Sequence, residues 1–495
     1  MDRAKGKPSG MLGRHLLGYL PVQAAQALVG FGGVAVLTRL MSPEMYGQYA
    51  LAITAMHLVS MALFTWLDAA VARFHARAAA RSALPAHLAT AYRTFFLLVA
   101  AVVIIGAGLL LVLPIPADLK TTFGFALAAL SIQSLLQIGQ ETRRAAGAVA
   151  AFSAIGTLNL LLGFALGIAL LMATPLGAAG PIAGMALGAA IALVFDLPGQ
   201  RKRASGGKSN ARRLALYFAY GLPISISLVF EQLLSAGDRF LIAGFLGQAA
   251  VGVYAAGYGL ADRSLDIIFV WMGAAATPLM VAALERGGPE AARKVAARTA
   301  RIMALIGFPA AAGLALVAEP LAGVMVGEAF RPGAVLILPW IALAGLMKGV
   351  MTYYFHESFI LGRRTRAMAA IMGGAALFNL ALNAVLLPIF GIAGAAAATV
   401  IAYAASLLAC AWIGRRIFAL PLPWLDWGKT ALATAGMAAA VLALPDVGNS
   451  LADLLLSMGA GIAVFAALAL ALNAGGCRGW VGEARARFAP AGIPS

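Results

Sequence analysis

YFAYGLPISISLVFEQLLSAGDRFLIAGFLGQAAVGVYAAGYGLADRSLDIIF, running from Tyr217 to Phe269, decides how the chain is to be read. It contains two apolar runs of bilayer-spanning length, and the second holds Arg263 and Asp266. An ionisable group at a lipid-facing midplane position costs roughly 2.5 to 3.5 kcal/mol, so these two must turn toward a cavity or toward each other. The stretch also echoes the opening of the chain. Leu222-Pro223 matches Leu20-Pro21, and Gly252-x-Tyr254-Ala255 matches Gly47-x-Tyr49-Ala50. It reads as the start of the second half of a two-lobed membrane protein, with the unusual charges along the path between the halves.

The composition agrees. With 62% hydrophobic and 11% charged residues, the chain has too little polar material to cover a globule of 495 residues. Fourteen apolar runs predict an all-α integral membrane protein with spans near 16–38, 48–70, 91–113, 121–141, 148–172, 178–196, 214–236, 247–284, 299–319, 334–360, 367–388, 391–413, 429–445 and 452–473. No short apolar core with a small-residue cleavage site precedes the first span, so that span is expected to be its own insertion signal. Cys410 and Cys477 fall near the cytoplasmic side in this topology and are expected to stay reduced.

Lysine and arginine set the sidedness. With the N-terminus inside, thirty of the thirty-six basic residues fall in inner segments, from Arg3, Lys5, Lys7 and Arg14 at one end to Arg478, Arg485 and Arg487 at the other. Only Arg39, Lys120, Arg239 and Arg331 fall outside, with Arg263 and Lys348 inside spans. The alternation across successive loops predicts a cytoplasmic-membrane protein with both termini cytoplasmic. The net charge of +17 is then a matter of topology and gives no argument for nucleic acid.

Two further pairs extend the repeat in the same order. Leu158-Asn159-Leu160 matches Phe378-Asn379-Leu380, and Gly177-x-Ala179-Gly180 matches Gly391-x-Ala393-Gly394, so all four pairs are about 202 to 220 residues apart. Six spans per repeat is an even number, which predicts two lobes related by an axis along the membrane normal. The expected organisation is a first lobe at 1–197, a basic linker at 198–213, a second lobe at 214–414 and two further helices with a tail at 415–495. Gly207-Lys208-Ser209 in the linker imitates a phosphate-binding loop, but Lys202 stands where its first glycine is required, and no strand precedes it. No HExxH, CxxC or GxSxG spacing is present, so neither enzymatic chemistry nor a cofactor or metal is expected.

Thr38 to Tyr49 (TRLMSPEMYGQY), Gly237-Asp238-Arg239-Phe240-Leu241-Ile242, Phe245-Leu246-Gly247, Val251-Gly252-Val253-Tyr254 and Gly327-Glu328-Ala329-Phe330 resemble the polysaccharide flippases. These translocate lipid-linked O-antigen and exopolysaccharide units and share a superfamily with the lipid II flippase and the multidrug and toxic compound extrusion transporters. The resemblance covers nearly the whole chain, although its motifs are loop signatures. It implies two six-helix lobes around a cationic cavity, alternating access, and an undecaprenyl-pyrophosphate-linked glycan moved from the inner to the outer leaflet. Membrane lipids, a glycan polymerase and a chain-length regulator are the partners it suggests. The alternative within the superfamily is a cation-coupled multidrug exporter, which would want an acidic cavity.

A lipid-linked glycan needs polar and cationic side chains inside the protein, and few are available. Arg263 and Asp266 lie three apart on one helix; a structural ion pair is the other reading. Lys348 sits mid-span in the tenth helix with His356 and Glu357 about two turns on, where snorkelling is difficult. Glu231 and Gln232 in the seventh span, and Gln133, Gln137 and Gln140 in the fourth, are placed to bond sugar hydroxyls or neighbouring helices. Asp68 and Arg73 at the inner end of the second span are candidate gate residues. Asp238 and Arg239 read as a brace at a helix end.

Overall fold

The computed structural model describes residues 8–479, with side chains from Gly18 onward. The basic residues Arg3, Lys5, Lys7, Arg14, Arg485 and Arg487 of the sidedness argument lie outside the described side chains. The described residues are almost entirely helical and contain no strand. Ten of the helices are long and apolar enough to cross a membrane, or eleven if the bent pair Pro43–Leu63 and Thr65–Ala80 is one span. The chain divides into two compact units, Met1–Ala255 and Ala256–Ser495.

The first unit contains α1 (Pro8–Leu40), α2 (Pro43–Leu63), α3 (Thr65–Ala80), α4 (Leu84–Val112), α5 (Ala117–Ala145), α6 (Val149–Ala173), α7 (Ala179–Ala204), α8 (Ala211–Ala236) and α9 (Asp238–Leu246), and ends in the first turns of α10 (Gln248–Leu316). Between α2 and α3 the axis bends by 49° at Phe64. Leu67, Val71, Phe95, Leu130, Ile138, Ile182 and Tyr217 join α3, α4, α5, α7 and α8 in one buried cluster.

In lipid, helices gain little from burying apolar surface against one another, so small residues that permit backbone contact carry the packing. The α6–α7 pair shows this. Gly163 and Gly167 face Gly184 and Gly188, and a methyl on Gly184 would fall 2.1 Å from the Gly167 nitrogen. A second close approach joins the two signatures that the sequence repeats. A methyl on Gly47 would meet the Gln248 carbonyl oxygen at 1.9 Å, and one on Gly252 would meet that of Pro43 at 1.9 Å. Each glycine thus packs on backbone belonging to the other's segment. Gln48 Nε2 donates to Gln248 Oε1 across it at 2.8 Å. Nearby, Tyr254 OH donates to buried Asp238 (2.5 Å) and Arg239 Nη1 to Thr54 Oγ1 (2.9 Å).

The second unit takes the rest of α10, then α11 (Ala318–Met325), α12 (Arg331–Val350), α13 (His356–Leu361), α14 (Thr365–Ile417), α15 (Trp424–Leu442) and α16 (Ser450–Leu472). Both α10 and α14 run through a glycine break, Gly288 at φ 70° and Gly391 at φ 60°, each where an L side chain would be strained. Each break divides its helix into two arms. Arg301 Nε meets Asp426 Oδ2 at 2.8 Å, and Trp427 Nε1 donates to the Ala300 carbonyl at 3.1 Å, so α15 is tied to the second arm of α10. Cys410 and Cys477 are buried free thiols.

Candidate functional site: a polar cavity and a charged cluster

Helix α5 presents two different faces. Gln133, Gln137 and Glu141 follow one another at intervals of four residues, which places them on one stripe that Arg144 continues. That stripe lines a cavity of about 460 Å³, completed by His57, Ser60 and Asp68 from α2 and α3, Asn159 from α6 and apolar surface from Met56, Met61 and Met185. Glu141 is buried and accepts from Gln137 Nε2 (2.9 Å) and Arg144 Nη2 (2.5 Å). Asn159 Nδ2 donates to Gln133 Oε1 (3.1 Å), and Gln133 Nε2 to the Met185 carbonyl (3.1 Å). Capacity is left over. Asp68 Oδ1 is buried with no hydrogen-bond partner among the described residues, and the Arg144 side chain is 54% exposed.

The opposite face of α5 is closed. Arg143 and Asp196 form an ion pair in which both side chains are buried, and Gln200 Nε2 donates to Asp196 Oδ1 at 3.4 Å. Gly139 makes room for it, since a methyl there would sit 1.9 Å from Asp196 Oδ2.

In the second unit, Lys348 Nζ lies 2.9 Å from Asp262 Oδ1 and 3.0 Å from Asp266 Oδ1, and the lysine side chain is 13% exposed. Asp262 and Asp266 are four apart and so reach the same lysine from one helix face. Two carboxylates on one ammonium leave no net positive charge for an outside anion. Lys348 is followed by a π-helical turn at Met351–Phe355, a local widening that recurs at functional positions. Beyond it, Thr277 Oγ1 donates to buried Glu357, whose Oε2 has no partner among the described residues, nor has Nε2 of buried His356.

The remaining candidates are dispersed. Arg263 is exposed, on the same helical strip as Ile267, Val270 and Trp271, while Asp266 turns to Lys348. Arg73 is exposed, and Glu231 and Gln232 are half-buried on α8; none of the three lines the cavity. Gln140 points away from the stripe and donates to the Phe152 carbonyl at 3.2 Å. Sequence reasoning missed Glu141, Asn159, His57 and Asp262. For Glu141 the signal was present in the four-residue interval from Gln137. For Asp262 it was the same interval to Asp266. No group of three or more metal-ligating side chains is present among the described residues.

A cavity with carboxylate, amide, hydroxyl and guanidinium groups on one side and thioether surface on the other can bond a ring of hydroxyls while covering its C–H faces. The family model described as "Polysaccharide biosynthesis protein" matches residues 36–334. No curated protein matches the sequence. Among solved structures, the lipid II flippase MurJ in its inward closed conformation superposes with a TM-score of 0.75 at 14% identity, covering 92% of this chain and 99% of its own. An inward-facing multidrug resistance MATE family transporter of the MOP superfamily gives 0.65 at 15% identity, covering 80% of this chain and 94% of its own. A MOP superfamily transporter from Pyrococcus furiosus gives 0.56 at 15%, covering 84% and 98%. At these identities the likeness is one of fold.

Proposed function

The chain belongs to the polysaccharide biosynthesis protein family, and from that premise we propose that it is a flippase for undecaprenyl-pyrophosphate-linked oligosaccharides in the bacterial cytoplasmic membrane, serving O-antigen or exopolysaccharide synthesis. The observation that carries this reading is the cavity along α5. Its mix of donors and acceptors, with unused capacity at Asp68 and Arg144, suits a glycan that must leave water without losing its hydrogen bonds. The polyprenyl tail needs no such cavity because it stays in hydrocarbon. Arg144, half-exposed at the end of the stripe, supplies positive charge in the cavity for the pyrophosphate, and Lys348 holds its two aspartates. Alternating access by two six-span repeats, fourteen spans in all, with the 198–213 linker and the helices after residue 414, belongs to the same proposal, as do Asp68 and Arg73 as gate residues and a polymerase and chain-length regulator as partners.

A cation-coupled drug exporter is the second reading, favoured by the carboxylates of Asp68 and Glu141 in the cavity. Proteoliposomes holding the purified chain separate the two. The flippase reading expects translocation of a fluorescent polyprenyl-pyrophosphate oligosaccharide and no accumulation of a lipophilic cationic dye driven by a proton or sodium gradient. Dye accumulation without glycan translocation would replace it with the second reading.

A further inference from the structure

A second cavity of the first unit plays no part in that proposal. It measures about 320 Å³ and lies where the end of α3 and the start of α4 meet the segment leading into α8. Arg77, Arg81, Arg212 and Arg213 line it, and no carboxylate does. Arg77, Arg81 and Arg212 are exposed and have no carboxylate within ion-pair distance among the described residues. Arg213 is anchored, its Nη1 donating to the Ala83 carbonyl at 3.2 Å.

Arg212 and Arg213 stand in the first turn of α8, where the helix dipole disfavours a cation. An outside anion removes that conflict. The floor of the cavity is built from His87, which is fully buried and contacts Tyr217 OH through Nδ1. Tyr217 stacks on Phe74, which holds the floor rigid. The segment over the site is fixed as well. Arg93 Nη1 donates to Ser209 Oγ (2.8 Å), the Asn210 amide to Thr90 Oγ1 (3.1 Å), and a methyl on Gly207 would meet the Pro85 carbonyl oxygen at 2.1 Å. Beside the arginines, Leu216 and Tyr220, four apart and so on one helix face, are exposed.

We propose that this cavity binds the phosphate of an anionic membrane phospholipid, with the arginines around the headgroup and the lipid chain running along Leu216 and Tyr220, one turn apart on α8. Guanidinium groups suit phosphate because their planar fork gives paired hydrogen bonds. The exposed apolar strip beside them favours a lipid over a soluble anion.

The test uses the full-length protein in a neutral detergent, with the folded fraction after heating followed as ligand is added. Phosphatidylglycerol should stabilise it in a saturable manner, phosphatidylcholine should do so at least tenfold more weakly, and inorganic phosphate should have no effect. Arg77→Ala, Arg81→Ala and Arg212→Ala together should weaken the phosphatidylglycerol response at least tenfold. The matched variant Arg363→Ala, Arg364→Ala, Arg366→Ala removes the same charge elsewhere and should respond like the wild type. An undiminished response in the first variant, an equal loss in the second, or no lipid preference in the wild type would overturn the site. Saturation by inorganic phosphate alone would overturn its lipid occupant.

Discussion

The cavity along α5 and the Lys348 cluster both place charge within apolar helices, yet they differ in what remains available. Lys348 is matched by Asp262 and Asp266 at 2.9 and 3.0 Å and offers little to a visitor. Glu141 is satisfied too, but by Gln137 and a half-exposed Arg144, on a surface where Asp68 keeps a buried oxygen without a partner. A charge in a membrane helix is costly wherever it stands. Whether that cost supports the fold or a ligand depends on whether the group's partners are internal.

The contrast is sharpest where a closed pair is broken. Arg143→Ala should strand buried Asp196 and cost about 3 to 5 kcal/mol, seen as loss of protein from the membrane fraction. Arg143→Met with Asp196→Leu should recover most of it. Lys348→Met leaves two neighbouring carboxylates without their cation, and a loss of about 1.5 to 3 kcal/mol is expected because the cluster is partly exposed; adding Asp262→Asn and Asp266→Asn should restore abundance. Persistent low abundance in that triple variant would show that the lysine does more than balance charge. Gly139→Ala pushes a methyl into Asp196 and should cost about 1 to 3 kcal/mol, read as a lower temperature of aggregation. The smallest change in stability is expected in the open cavity, where Gln137→Ala removes one donor from buried Glu141 while Arg144 stays in place, and should cost about 0.5 to 1.5 kcal/mol while glycan translocation falls.

Much of this was legible beforehand. Span-length apolar runs and the glycine signatures at Gly47 and Gly252 follow from side-chain chemistry one segment at a time, and so did the all-helical class. The brace at Asp238 and Arg239 was readable from their position at a helix end. Partner choice was not. Arg263 and Asp266 are near neighbours in sequence, but Asp266 pairs with Lys348, eighty-two positions on, and packing between helices decides that. Similarly, α5 offers Gln140 and Glu141 one residue apart, and only the neighbouring helices determine that Glu141 joins the cavity while Gln140 bonds the Phe152 carbonyl. Asn159 stood out as part of a repeat signature, yet its bond to Gln133 depends on how closely the glycine-lined α6 and α7 approach.

The most direct test is a translocation assay with Asp68→Asn and Glu141→Gln in proteoliposomes, normalised to folded protein. Both substitutions keep side-chain size, remove the negative charge and replace one acceptor oxygen by an N–H donor. If the cavity along α5 holds the glycan, each variant should move the lipid-linked oligosaccharide at least tenfold more slowly than wild type with its folded amount unchanged. Wild-type translocation by the double variant would contradict it.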